Sequence, residues 1–305
     1  MPLAHALSEH VARGLGTRAL AIKGPSATHH ALREARLSAD ADIWVEPSGF
    51  ELFIAALEDR GWHGRVGTEV SRELTEHSVT LIHGEWPCDI DVHREFPGLL
   101  APAVTVFEEL WAGRVYLQQA CVDIAVPGLA GAILIAALHA IRTPAQSPRH
   151  ASEFRQLTAR CEFLTPLQRE DLAELAAKVN ALDTARPFLD SLGIRLPGPT
   201  PYGVSPALDE WRARIAADGS RAAKRWIVVA RRPLRQRPAA IWRVLWPPEQ
   251  DLRQDNPIIP SGRIALNWAR TRRLLHVARQ VPATARGRLA ARRGVSRSSI
   301  ADQPK

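Results

Sequence analysis

Residues 19–45 read ALAIKGPSATHHALREARLSADADIWV. The apolar run Ala19–Ile22 reads as a strand, Lys23-Gly24-Pro25-Ser26 as a turn, and about Ala27 to Arg36 as a helix. A second strand, Ala41–Val45, follows, with Asp40 and Asp42 at its opening. Residues two apart on a strand point to the same face, so these two acids stand side by side. Adjacent carboxylates repel, and a cation relieves that repulsion. Asp89 and Asp91, in the strand-like CDIDVH, repeat the spacing about fifty residues later. If the two pairs meet in space, they make one acidic site.

Working outward, 305 residues are enough for a sizeable core and for two domains. A hydrophobic fraction of 46% with 24% charged residues is that of an ordinary globular protein, which argues against a disordered or fibrous chain. The start, MPLAHALSEHVARGLG, lacks the cationic stretch and apolar run of a signal peptide. The most apolar segment, Leu129–Ile141, is shorter than the roughly 20 residues that cross a bilayer, so it reads as a buried helix and no membrane partner is expected. Cys88, Cys121 and Cys161 are far apart and form no CxxC pair, which points to a cytoplasmic setting without zinc or disulfide frameworks.

Charge is divided unevenly. Residues 1–210 carry 18 Lys and Arg against 27 Asp and Glu, whereas residues 211–305 carry 22 against 5. The acidic part contains the candidate site. The basic part, with Arg263, Arg270, Arg272, Arg273, Arg279, Arg286, Arg288, Arg292 and Arg293, has the charge to attract nucleic acid or another polyanion. Aromatic residues for base stacking are nearly absent there, Trp268 excepted, so sequence-specific readout is not expected.

The order of elements is as follows. A leading helix spans about Pro2 to Arg18 and closes at Gly14 or Gly16. Phe50–Gly61 is an amphipathic helix capped by Gly61, and His77–His83 and Cys88–His93 form an antiparallel hairpin around Gly84-Glu85-Trp86-Pro87. Val115–Val126 adds strands. After Pro127-Gly128 the period becomes helical, with candidates at Leu129–Ile141, Ser152–Phe163, Pro166–Leu182, Thr184–Leu192, Leu208–Arg232 and Leu234–Val244. The Arg-, Ala- and Ser-rich end from about Pro282 is expected to be disordered.

Carboxylates converging from neighbouring strands suit Mg²⁺, a hard cation that prefers carboxylate and phosphate oxygen. Two such ions can grip a triphosphate and lower the pKa of an attacking hydroxyl. A Gly-containing turn permits close approach of backbone to phosphate, and Lys23 adds a positive charge beside it.

These residues resemble a known signature. Gly24-x-Ser26, thirteen intervening residues and Asp40-Ala41-Asp42-Ile43 are similar to the motif of the DNA polymerase beta-like nucleotidyltransferase superfamily. Ile22-Lys23-Gly24, Arg36 and Asp91-Val92-His93 resemble, more closely, a group of uncharacterised bacterial nucleotidyltransferases with Lys-Gly in the turn. The helix with His139 and the segment Trp242–Pro248 are similar to that group's helical half, so the resemblance covers most of residues 19–255.

The resemblance implies an α+β fold, a polymerase beta-like nucleotidyltransferase core with a mixed β-sheet and flanking helices, followed by an all-helical C-terminal region. The expected division is 1–127 for the core, 128–255 for a helical domain and 256–305 for a basic helix and Arg-rich tail. It implies transfer of an NMP from an NTP to a hydroxyl-bearing acceptor (small molecule, peptide or tRNA), with two Mg²⁺ ions and release of pyrophosphate. Asp40, Asp42 and Asp91 are then the catalytic residues and metal ligands, and Lys23, Gly24, Ser26 and Arg36 bind the nucleotide. Asp89 and His93 share the face of Asp91; Asp89 is expected to be exposed or to support the site from behind, and His93 either to touch metal or phosphate or to make a structural hydrogen bond. Pro25 departs from the usual Gly or Ser of the turn. His139, in an apolar helix, reads as a satisfied core histidine. The competing reading is a degenerate nucleotidyltransferase fold that binds RNA or a protein through its basic part.

Overall fold

The computed structural model describes residues 1–34, 38–65, 77–142, 148–195, 205–217, 229, 232–255, 258–260, 262–272 and 274–275. Arg36, Arg273 and the tail arginines from Arg279 onward lie outside these residues, as does the stretch expected to be disordered. The fold is α+β. It divides into two compact units, one made of Met1–Arg65 and His77–Leu208, the other containing everything from Asp209 onward. The change from strand to helix at Pro127 falls inside the first unit.

The first unit opens with α1 (Pro2–Leu15), which ends where Gly16 takes φ 65° and Thr17 N–H bonds back to the Ala12 carbonyl at 3.0 Å. Then come β1 (Ala19–Ala21), α2 (Gly24–His29), β2 (Asp40–Val45), α3 (Phe50–Glu58), β3 (His63–Gly64), β4 (Ser78–Ile82) and β5 (Asp89–His93). The five strands form one mixed sheet in the order β1-β2-β5-β4-β3. Only β2 and β5 run parallel, and β4 and β5 form the expected hairpin.

Alternation divides this sheet cleanly. Ala41, Ile43 and Val45 of β2, Ile90 and Val92 of β5 and Leu81 of β4 bury themselves with Val11 of α1 and with Phe50, Phe53 and Leu57 of α3. Their removal from water holds the layer together, at about 1.5–3 kcal/mol for each fully buried large side chain. The even-numbered positions of β2 therefore point the other way, and with them the acids.

The helix expected over Ala27–Arg36 is instead the shorter α2, and it begins three residues earlier. Pro25 fits at its first turn, where no intrahelical N–H is needed. The helix stops because Ala31 adopts φ 53°, with Ala31 N–H on the Thr28 carbonyl at 3.1 Å and Leu32 N–H on the Ala27 carbonyl at 2.8 Å. That pair of bonds is a Schellman closure built without glycine.

Helix α4 (Ala103–Ala112), which no sequence signal above marks, lies between Pro102 and Gly113 and buries Val106, Phe107 and Leu110. Strands β6 (Val115–Gln119) and β7 (Val122–Val126) form a separate hairpin. Its two-residue turn puts Ala120 and Cys121 at φ 49° and 64°, the left-handed geometry that matches strand twist. Helix α5 (Leu129–Ile141) is buried over most of its length and packs against α6 (Pro148–Cys161), α7 (Pro166–Lys178) and α8 (Leu182–Ser191). A capping box joins Thr165 and Gln168 at the start of α7.

The division between units falls within α9 (Pro206–Ala217). Beyond it the described elements are a 3₁₀ turn (Leu234–Gln236), α10 (Arg237–Leu245), α11 (Glu249–Asp255) and helical residues 263–272. Trp242 stacks on Trp246 at 6.2 Å, and the Arg270 guanidinium lies 5.1 Å from the Trp246 ring. Among the described residues, no helix is long and apolar enough to cross a membrane.

Candidate metal centre

The parallel pairing of β2 with β5 brings the two acid pairs together. Asp40 lies opposite Asp89 and Asp42 opposite Asp91, rung by rung. The pairs do not share one fate.

Asp42 is buried, with 5% of its surface exposed. The Lys23 ammonium forms an ion pair with its Oδ1, and His93 Nε2 lies 3.0 Å from the same oxygen. Burial alone would raise its pKa, but the His93 hydrogen bond and the Lys23 charge outweigh burial and hold the carboxyl well below the usual range. Lys23 reaches it because the residue takes φ 58°, turning the chain between β1 and α2. Its ammonium also lies 5.8 Å from the Phe96 ring.

Asp91 is the opposite case. Burial pushes its pKa up, a hydrogen bond from Thr80 pulls it down, and the Asp42 charge pushes it up again, with a net rise. Its Oδ1 is buried without a hydrogen-bond partner. An unpaired buried carboxylate oxygen is costly and calls for a cation or a proton. Asp42, Asp91 and His93 each place one donor atom within 4.8 Å of the others. Two carboxylates with one unsatisfied oxygen fit a hard divalent cation such as Mg²⁺.

The remaining expected residues are placed as follows. Asp40, on the same face as Asp42, is half-buried and accepts a 2.7 Å hydrogen bond from Ser38 Oγ; it is not one of the three converging donors. Asp89 pairs with Arg65. Gly24 starts α2, and its carbonyl accepts from Thr28 Oγ1 at 3.1 Å. Ser26 is buried and directs its hydroxyl to the Pro127 carbonyl at 3.5 Å, where His30 Nε2 also lies at 2.9 Å. A separate open cleft of about 520 Å³, lined by His30, Leu32, Leu129, Arg160, Cys161 and Phe163, includes none of the acids.

One grouping goes beyond the sequence reading. His139, expected as a satisfied core histidine, has a buried Nδ1 with no partner and stands against His150 and Glu153. The available signal was the spacing of His150 and Glu153, three apart and so on one helical face. The sequence matches no protein-family model and no curated protein.

Proposed function

We propose that this chain is a Mg²⁺-dependent nucleotidyltransferase with a polymerase beta-like core, moving an NMP from an NTP to a hydroxyl-bearing acceptor. The observation that supports this most is the meeting of Asp42 and Asp91 on adjacent parallel strands, with one Asp91 oxygen left unsatisfied. In this reading Asp42 and Asp91 hold the metal, and Asp40, two residues before Asp42 on the same face of β2, turns toward it when it binds. Mg²⁺ held there would offset triphosphate charge and lower the pKa of the attacking hydroxyl.

The chain's own residues supply the rest. Asp91 takes the acceptor's proton as the acceptor's oxygen bonds to the α-phosphorus and the bond from that phosphorus to the pyrophosphate oxygen breaks. His93 keeps Asp42 oriented through the 3.0 Å contact. Lys23 balances the Asp42 charge and would pass to a phosphate oxygen when nucleotide binds, with Gly24 and Ser26 beside it in the same turn. Ser26 must first leave the Pro127 carbonyl.

The test is incubation of the full chain with each labelled NTP, Mg²⁺ and three acceptor classes: small hydroxylated molecules, peptides and tRNA. Label transfer by the native protein that Asp42→Ala abolishes supports the reading. No Mg²⁺-dependent turnover with any NTP and acceptor class overturns it.

A further inference from the structure

We infer that His139, His150 and Glu153 form a second metal site, suited to a borderline cation of the Zn²⁺ type and distinct from the carboxylate centre. His139 comes from α5, and His150 and Glu153 come from one face of α6. One donor atom from each lies within 4.8 Å of the other two. His139 Nε2 is 4.0 Å from Glu153 Oε2, and the two imidazoles meet edge to face with centroids 5.1 Å apart. Bonds of about 2.0–2.2 Å to Zn²⁺ span about 3.4 Å across a tetrahedral angle, so small side-chain shifts would close the set.

Two further observations support the assignment. The His139 Nδ1 is buried with no hydrogen-bond partner, so the packing does not hold the ring, and its Nε2 faces Glu153 Oε2 across 4.0 Å, too far for a hydrogen bond. Arg149 Nε donates to Glu153 Oε1 at 3.0 Å, which leaves Oε2 toward His139 and fixes the carboxylate from outside, as partners of metal ligands commonly do.

Two imidazoles and one carboxylate favour Zn²⁺, Co²⁺ or Ni²⁺ over Mg²⁺, the reverse of the preference at Asp42 and Asp91. Three protein ligands leave a fourth position for water or a substrate atom. The ion would also tie α6 to α5.

The experiment is titration of the full chain with Co²⁺ in excess Mg²⁺, followed by visible d–d absorption. The expected result is one equivalent bound, displaced by Zn²⁺, in the native protein and equally in Asp42→Asn/Asp91→Asn. His150→Ala and Glu153→Gln should weaken binding about 100-fold or more, and Arg149→Ala about 10-fold. These three positions are only partly buried or exposed, so their variants should fold, as circular dichroism will check. Absence of stoichiometric absorption in the native protein overturns the inference. So does absorption unchanged in His150→Ala and Glu153→Gln, or absorption lost only in the Asp42/Asp91 variant. Because the carboxylate variant is one arm, failure here and failure of the transferase reading give different results.

Discussion

Asp42 and Asp91 occupy the same rung of two parallel strands, yet their environments push their carboxyl groups in opposite directions. Asp42 is buried against Lys23 and His93 and held low, while Asp91 is raised, with one oxygen unpaired. Such a pair stores electrostatic cost in the cation-free chain that a bound cation would release.

Removing that cost should stabilise the protein at the expense of function. Asp91→Asn keeps the shape and deletes the buried like charge. Thermal unfolding in EDTA should rise by about 1 kcal/mol, or roughly 2–4 °C in a unit of this size, while Mg²⁺-dependent activity falls. A lower midpoint would show that Asp91 is structurally satisfied.

Lys23→Met should act in the other direction. It leaves the buried Asp42 charge with His93 alone and should destabilise the metal-free protein by about 3 kcal/mol. Mg²⁺ should then raise the unfolding midpoint more in the variant than in the native chain. Equal Mg²⁺ shifts in both would separate Lys23 from the cation site.

Much of the site was legible because alternation and spacing are local. The strand pair carrying Asp40, Asp42, Asp89 and Asp91 follows from period two alone. Register is different: nothing in either strand states that β2 lies parallel to β5, since that pairing is set by burial of Ile43, Ile90 and Val92 against α1 and α3. Two helix ends make the same point. Gly16 and Ala31 close α1 and α2 with the same bond pattern, but only the glycine announces it. The sequence therefore does not show where α2 ends. α4 lies between Pro102 and Gly113, but its β-branched start, Val104 to Val106, has a strand-like composition that hides it in the sequence. The neighbours of His139 come from a different helix, and the sequence of its own helix cannot show them.

Gly128, the residue that starts α5, approaches the backbone so closely that a Cβ there would lie 2.2 Å from the Gly113 carbonyl oxygen. Its neighbour Pro127 carries the carbonyl that Ser26 and His30 contact. Gly128→Ala should cost about 1–3 kcal/mol, measured by urea unfolding, because backbone cannot move aside as a side chain can. A neutral effect would mean that this junction is slack.

His5 makes stability pH-dependent. Burial lowers its pKa to about 4. Between about 6.5 and 4 the unfolded chain binds a proton at this residue that the folded chain refuses, so stability rises with pH across that window. The contribution is fully present above pH 6.5 and is lost as pH falls toward 4, up to about 3 kcal/mol. In His5→Leu the slope of unfolding free energy against pH should flatten there; an unchanged slope would exclude His5 as its source.

The central claim is that Asp42 and Asp91 hold the metal on which nucleotide binding depends, and this can be measured without knowing the acceptor. Isothermal titration of the full chain with a non-hydrolysable NTP analogue should show binding in Mg²⁺ that is weakened about 100-fold or more in EDTA and in Asp42→Asn. Binding of equal strength in EDTA, or undiminished in Asp42→Asn, would contradict the account.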